Sequence, residues 1–132
     1  MALQKRAARQ SPLEAIIDIN FADPAAYGTG ENAFSLPQNA ILIGGDLTVT
    51  TAWNSATSAA LSLGDAASAT RYLNAVDLKT AARTALTLTG YKHTAGEFLK
   101  ALLVQAGAGA TAGDARLRIS YIVQGRQLTN QG

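Results

Sequence analysis

Between residues 39 and 65 the side chains alternate in character. Leu47, Val49, Thr51 and Trp53 fall on one side of an extended chain, and Thr48, Thr50 and Ala52 on the other. Successive side chains of a strand point to opposite faces, so this is a strand with one face buried. The same two-residue period returns at 115–124, where Leu117, Ile119, Tyr121 and Val123 oppose Arg116, Arg118, Ser120 and Gln124. At 15–21, Ile17, Ile19 and Phe21 oppose Ile16, Asp18 and Asn20. A chain that alternates in several separate places must bury one face of each strand, and it does so by building sheets.

Turn chemistry divides the rest. Gly44-Gly45-Asp46 reads as a tight turn, because glycine accepts backbone angles that other residues resist. Asn54-Ser55 reads as a second turn, and 59–63 as the returning strand of an antiparallel meander. Residues 22–38, with Pro24, Gly28, Gly30 and Pro37, read as one long loop, either a contact surface or a cover over an open sheet end. Residues 66–83 lose the alternation and read as a short helical excursion, with Asp77 capping its second half and Leu73, Val76 and Leu78 pinning it to the core. Leu86 and Leu88, spaced by threonines, predict a strand that stops at Gly90. The run 97–105 (EFLKALLVQ) fits a helix or a strand buried on both faces; its flanking glycines favour the strand. About seven or eight short strands at near-regular spacing predict an all-β, single-domain β-sandwich. The long crossovers point to a jelly roll. The expected organisation is an N-terminal arm at 1–14, the sandwich at 15–126 and a polar tail at 127–132.

Composition narrows the function classes. A 132-residue chain with 48% hydrophobic residues builds one core. The net charge of +2 argues against a nucleic-acid partner. With no cysteine there are no disulfides, thiolate metal sites or cysteine nucleophiles. No apolar run approaches the ~18 residues of a membrane helix, so no membrane role is expected. The basic start (Lys5, Arg6, Arg9) leads into Gln10-Ser11-Pro12 instead of an apolar segment, which is not the pattern of a signal peptide.

Catalytic motifs are missing. His93 is the one histidine, set in the polar run Tyr91-Lys92-His93-Thr94, and reads as a surface turn residue. One histidine does not make the multi-histidine metal site of a jelly-roll enzyme. Asp18, Asp46, Asp65, Asp77 and Asp114 sit at expected turns or strand ends, where their backbone hydrogen bonding explains them. Neither a glycosidase carboxylate pair nor a calcium-loop spacing stands out. Gly28-Thr29-Gly30 lacks the rest of a nucleotide-binding loop. Trp53 and Tyr121 share faces with aliphatic residues and read as core. No catalytic, cofactor or metal residue is therefore assigned, and the chain is not expected to be an enzyme.

The phrases NAILIGGDLTVTTAWN, LSLGDAASATRYLNAVDL, TALTLTGYKHTAGEF and ARLRISYIVQGR carry a resemblance over roughly residues 36–126. They resemble the jelly-roll head cement (decoration) proteins of tailed bacteriophages, of the kind carried by a podophage of Bordetella. That resemblance implies a structural virion protein on the outer surface of the capsid. It would bind as a homodimer or homotrimer and bridge subunits of the major capsid protein, without catalysis or cofactor. Leu3, Lys5, Arg6, Arg9, Tyr27 and Phe34 are the expected capsid contacts, with sheet surfaces for self-association. The opposite assignment fits the sequence equally. A glycan- or receptor-binding sandwich of a phage particle is the alternative.

Overall fold

The computed structural model describes residues 11–125, and all regular structure among them is β. The strands are β1 (Leu13–Asn20), β2 (Gly30–Leu36), β3 (Ala40–Thr51), β4 (Ser58–Gly64), β5 (Leu73–Asp77), β6 (Arg83–Ala85), β7 (Lys92–His93), β8 (Glu97–Ala106) and β9 (Asp114–Val123). They form two antiparallel sheets. One has the order β1-β9-β3-β6, with β7 also on β3; the other has the order β2-β8-β4-β5. Chain neighbours β1 and β2, β3 and β4, and β8 and β9 lie in different sheets, so the chain repeatedly crosses the core instead of folding back on itself.

The core is the sum of the inward faces. Across the first sheet, Ile17 pairs with Leu117 and Leu117 with Leu47. Across the second, Leu61 pairs with Leu103, and Phe34 with Leu99. Leu47, Leu61, Leu99, Leu117 and Ile119 are fully buried, and Trp53 and Tyr72 close the two ends. The alternation predicted for β1, β9 and the Leu47–Val49 part of β3 is present in the burial of their side chains, whereas Thr51, expected on the buried side, is exposed beyond a second register slip between Val49 and Thr51.

Several expectations are corrected. Gly44-Gly45-Asp46 is not a turn: β3 runs straight through it, with a register slip against β9 between Leu42 and Gly44. Gly45 holds φ +139°, and a Cβ there would stand 2.4 Å from the Arg118 carbonyl oxygen. The glycine thus serves a β-bulge where two backbones close in. The meander fails with it, since β3 and β4 belong to opposite sheets. The supposed loop 22–38 contains β2, whose Phe34 and Leu36 already alternate in the sequence. The helical excursion 66–83 is absent. Asp65 turns the chain by accepting from the Ala67 and Ser68 amides, and β5 then pairs with β4. Asp77 does accept from the Lys79 amide and the Thr80 hydroxyl, but it caps a turn and not a helix. The strand expected around Leu86 and Leu88 sits earlier, at 83–85. Residues 97–105 lie within a strand, and it is half-buried: Leu99, Ala101 and Leu103 point in, while Phe98 and Val104 are exposed. β1 starts at Leu13, inside the 1–14 segment expected to be an arm, whose first ten residues lie outside the described ones.

Two substitutions test this core. Leu117→Ala removes the central side chain of the three-strand row and should cost about 2–5 kcal/mol of unfolding free energy. Gly45→Val should cost about 2–4 kcal/mol, because the left-handed angle and the close carbonyl both oppose a side chain. Urea denaturation followed by Trp53 fluorescence measures each. Loss below about 1 kcal/mol at Gly45 would contradict the bulge.

Candidate functional site

The sandwich has two ends of different chemistry. At one end, Trp53 leaves β3 and seals the core. Its Nε1–H donates to the Tyr27 hydroxyl at 3.1 Å, and that hydroxyl donates to the Phe21 carbonyl at 2.6 Å. Gly113 lies under the indole, where a Cβ would come within 2.5 Å of the ring. The amide of Gly28 donates to the Leu103 carbonyl at 2.7 Å. Residues 21–29 are thereby tied down over the end of the sheets, which is one of the two roles expected for residues 22–38.

The other end holds a buried polar network. His93 is completely buried, contrary to the surface position expected from its sequence neighbours. Pairing of β7 with β3 sets His93 opposite Ala40, which directs the ring inward. Its Nδ1 meets Glu97 Oε2 at 2.6 Å and its Nε2 meets the Tyr72 hydroxyl at 2.7 Å. A carboxylate only accepts, so the Nδ1–H tautomer satisfies both contacts. Asp65, with no exposed side-chain surface, accepts from Arg71 Nε at 2.6 Å and lies 3.8 Å from His93 Nδ1. Arg71 also stacks over the Tyr91 ring, 3.6 Å from its centroid. Sequence reasoning missed this network because its members come from four separate segments. The Glu97 spacing of four from His93 was the one local signal.

Electrostatics fit a closed structural cluster. Burial pushes the Asp65 carboxyl up, but the Arg71 hydrogen bond, the Ser68 amide and the charges of Arg71 and His93 outweigh it and leave it below the ordinary carboxylate range. Burial, with the Asp65 charge adding to it, raises the Tyr72 phenol to about 12. Asp65, His93 and Glu97 have ligand atoms close enough to surround one cation. Arg71 already occupies Asp65 and Tyr72 occupies His93 Nε2, so the existing partners do the work a metal would do. Both nitrogens of His93 are engaged and the ring is sealed, which leaves it no access to a substrate.

The outer faces differ. On the first sheet a line of charge crosses all four main strands. Glu14 of β1 accepts from Arg118 of β9 at 2.7 Å, Arg118 also reaches Asp46 of β3 at 3.3 Å, and Arg83 of β6 donates to Asp46 at 2.7 Å. On the second sheet, β8 presents Phe98 (48% exposed) and Val104 to solvent, with Lys100 between them. Where the edge strands β1 and β2 come together, a groove of about 160 Å³ opens between the sheets. Ile17, Ile19, Ala33 and Leu103 form its apolar floor, and Asp18, Asp23 and Glu31 its rim.

Of the residues singled out from sequence, Tyr27 is half-buried at the Trp53 end. Phe34 is only 6% exposed and packs in the core, so it is not available as a surface contact. Leu3, Lys5, Arg6 and Arg9 lie outside the described residues. Trp53 is core as expected, and Tyr121 is partly buried against the core cluster. Among the described residues the structure brings together the polar network and the edge groove, neither of which the sequence singled out.

No family model and no curated protein matches the chain. Solved structures do. A chain in the cyanophage Pam1 capsid asymmetric unit matches with a TM-score of 0.65 and 22% identity, over 93% of this chain and 96% of that one. A chain in the acidic stable capsid structure of Helicobacter pylori bacteriophage KHP30 matches with a TM-score of 0.65 and 19% identity, over 86% and 89%. A chain in the capsid of Ralstonia phage GP4 matches with a TM-score of 0.56 and 13% identity, over 93% and 91%. At these identities the likeness is one of fold, and it extends over nearly the full length on both sides.

The polar end predicts an acid response. Because the folded-state value of Asp65 is depressed, its contribution is in place above the ordinary carboxyl range near ~4 and is lost as pH falls through its lower folded value. Asp65→Asn should therefore be less stable at neutral pH but show a shallower loss of urea midpoint below pH ~4. Arg71→Met, which strands a buried carboxylate, should cost about 3 kcal/mol at pH 7. An Arg71→Met protein as stable as the parent would contradict the network.

Proposed function

We propose that this protein is a structural component of a tailed-phage virion, a capsid cement or decoration protein that binds the outside of the head and stabilises it by bridging major capsid protein subunits. The observation that carries this reading is the near full-length match of its sandwich to chains of phage capsid structures. The sequence phrases that resemble head cement proteins support it independently. The strand order β1-β9-β3-β6 opposite β2-β8-β4-β5 supports reading the sandwich as a jelly roll, in which two four-stranded sheets interleave through Greek-key crossovers.

A cement protein works by area and multiplicity. Each contact need bury only ~800 Å² per partner, and an oligomer that engages two subunits at once gains from effective concentration. The exposed face of β8, with Phe98, Leu102 and Val104 around Lys100, is the apolar surface we assign to the shell. That takes the assignment in which a sheet face meets the capsid, and it leaves the N-terminal residues Leu3, Lys5, Arg6 and Arg9, together with the edge of the sandwich, for contacts between copies. Tyr27 supports the loop beside that edge. A glycan-binding role has less support, because Trp53 and Tyr72 are buried and Tyr91 is stacked under Arg71.

Co-sedimentation with purified tailed-phage heads stripped of this protein tests the reading. Saturable binding is expected, with Phe98→Asp/Val104→Asp weakening it by at least about tenfold, the effect of losing two buried apolar anchors. Heads that bind neither protein would remove the cement reading for that phage. Equal binding by both would keep it and move the contact off β8.

A further inference from the structure

We propose that the free edge of β1, with the groove beneath it, receives the basic N-terminal segment of a second copy of this chain, residues 1–10, as an added strand. Three independent features converge there.

The first is an unpaired strand edge. Among the described residues β1 is hydrogen-bonded on one side only, to β9. The Phe21 amide donates to the Gly113 carbonyl, which continues the β1–β9 register and sets the odd-numbered residues of β1 toward β9. The backbone N–H and C=O groups of Glu14, Ile16 and Asp18 therefore face outward, and the Ile16 side chain is 56% exposed. Such an edge is a ready template for another extended chain.

The second is charge. From residue 11 to residue 70 the sequence contains six acidic residues (Glu14, Asp18, Asp23, Glu31, Asp46 and Asp65) and no lysine or arginine. Residues 1–10 hold Lys5, Arg6 and Arg9 and no acid. The fold gathers Asp18, Asp23 and Glu31 on the rim of the groove, and Asp114 borders the adjoining hollow with Asp18 and Asp23. Arg116, opposite Asp18 across the ladder, is the cation among the residues lining that hollow, and the surface as a whole stays acidic. The apolar floor suits Leu3 and the alanines of the basic segment.

The third feature selects a second copy over the same chain. Ser11-Pro12 stands immediately before β1. The residue before a proline is held extended, and proline is disfavoured in the second central position of a tight turn. Ser11-Pro12 is therefore poorly suited to the tight turn that would fold residues 1–10 back along their own β1, which favours the edge of a second copy. The proposal goes beyond the capsid reading and does not depend on it.

Charge reversal in the full-length chain tests this. One variant carries Lys5→Glu, Arg6→Glu and Arg9→Glu; the other carries Asp18→Lys and Glu31→Lys. Light scattering and sedimentation equilibrium measure the mass, and circular dichroism checks the fold. The parent protein should self-associate in a salt-sensitive manner, and each variant alone should associate at least about tenfold more weakly. Mixed in equal amounts they should recover, because the acidic segment of the first meets the basic rim of the second, and the basic segment of the second meets the acidic rim of the first. A parent that stays monomeric up to ~1 mM, variants that associate like the parent, or a mixture that fails to recover would each overturn the proposal. A segment folded onto its own chain gives the last of these outcomes. Head co-sedimentation reports separately on the cement reading, so the two failures are distinguishable.

Discussion

The pairing of β3 with β9 is the contact on which the rest of this structure depends. These two long strands form the middle of the first sheet, and their register decides which residues face the core. Leu47 meets Leu117 and Val49 meets Ala115 on the inside, while Asp46 meets Arg118 on the outside. A slip of one residue would exchange the two sets and bury charge. Gly45 lets β3 bulge at the point where the backbones are closest, so the strand keeps its hydrophobic face inward on both sides of the irregularity.

The two ends of the sandwich solve the problem of closing a core in opposite ways. At one end the indole of Trp53 fills the gap, and its single polar atom is satisfied through Tyr27. At the other end the closure is ionic, with Asp65, Arg71, His93, Glu97 and Tyr72 holding one another. Burying a charge is tolerable only when it is paired and hydrogen-bonded, and each of these groups has its partner. The buried side-chain polar atoms among the described residues all have hydrogen-bond partners. The one histidine of the chain is thereby held in this closure through both of its ring nitrogens.

Much of the sheet architecture was legible in the chain. The alternation in β1, β3 and β9 is a local property, and it survives because a half-buried strand has to alternate wherever it sits. The misreadings have one origin. Gly44-Gly45, the 22–38 region and the 66–83 region were each judged by local turn and propensity signals, and each was overridden by long-range pairing. β5 and β6 are held by β4 and β3, far away in sequence, and a short run of weak propensity follows such partners. Phe34 was read as a surface contact because its strand was read as a loop.

The sequence by itself determined a chain built mainly of alternating strands, without cysteine, and with its charge separated into a basic start followed by an acidic stretch. These are properties of composition and of period two, and both are local. Only the tertiary structure decided which strands share a sheet, that His93 is buried beside Glu97 and Asp65, and that Asp18, Asp23 and Glu31 meet at one groove. Those outcomes come from pairings between residues as far apart as Glu14 and Arg118, and the energy that selects them resides in contacts that no window along the chain contains.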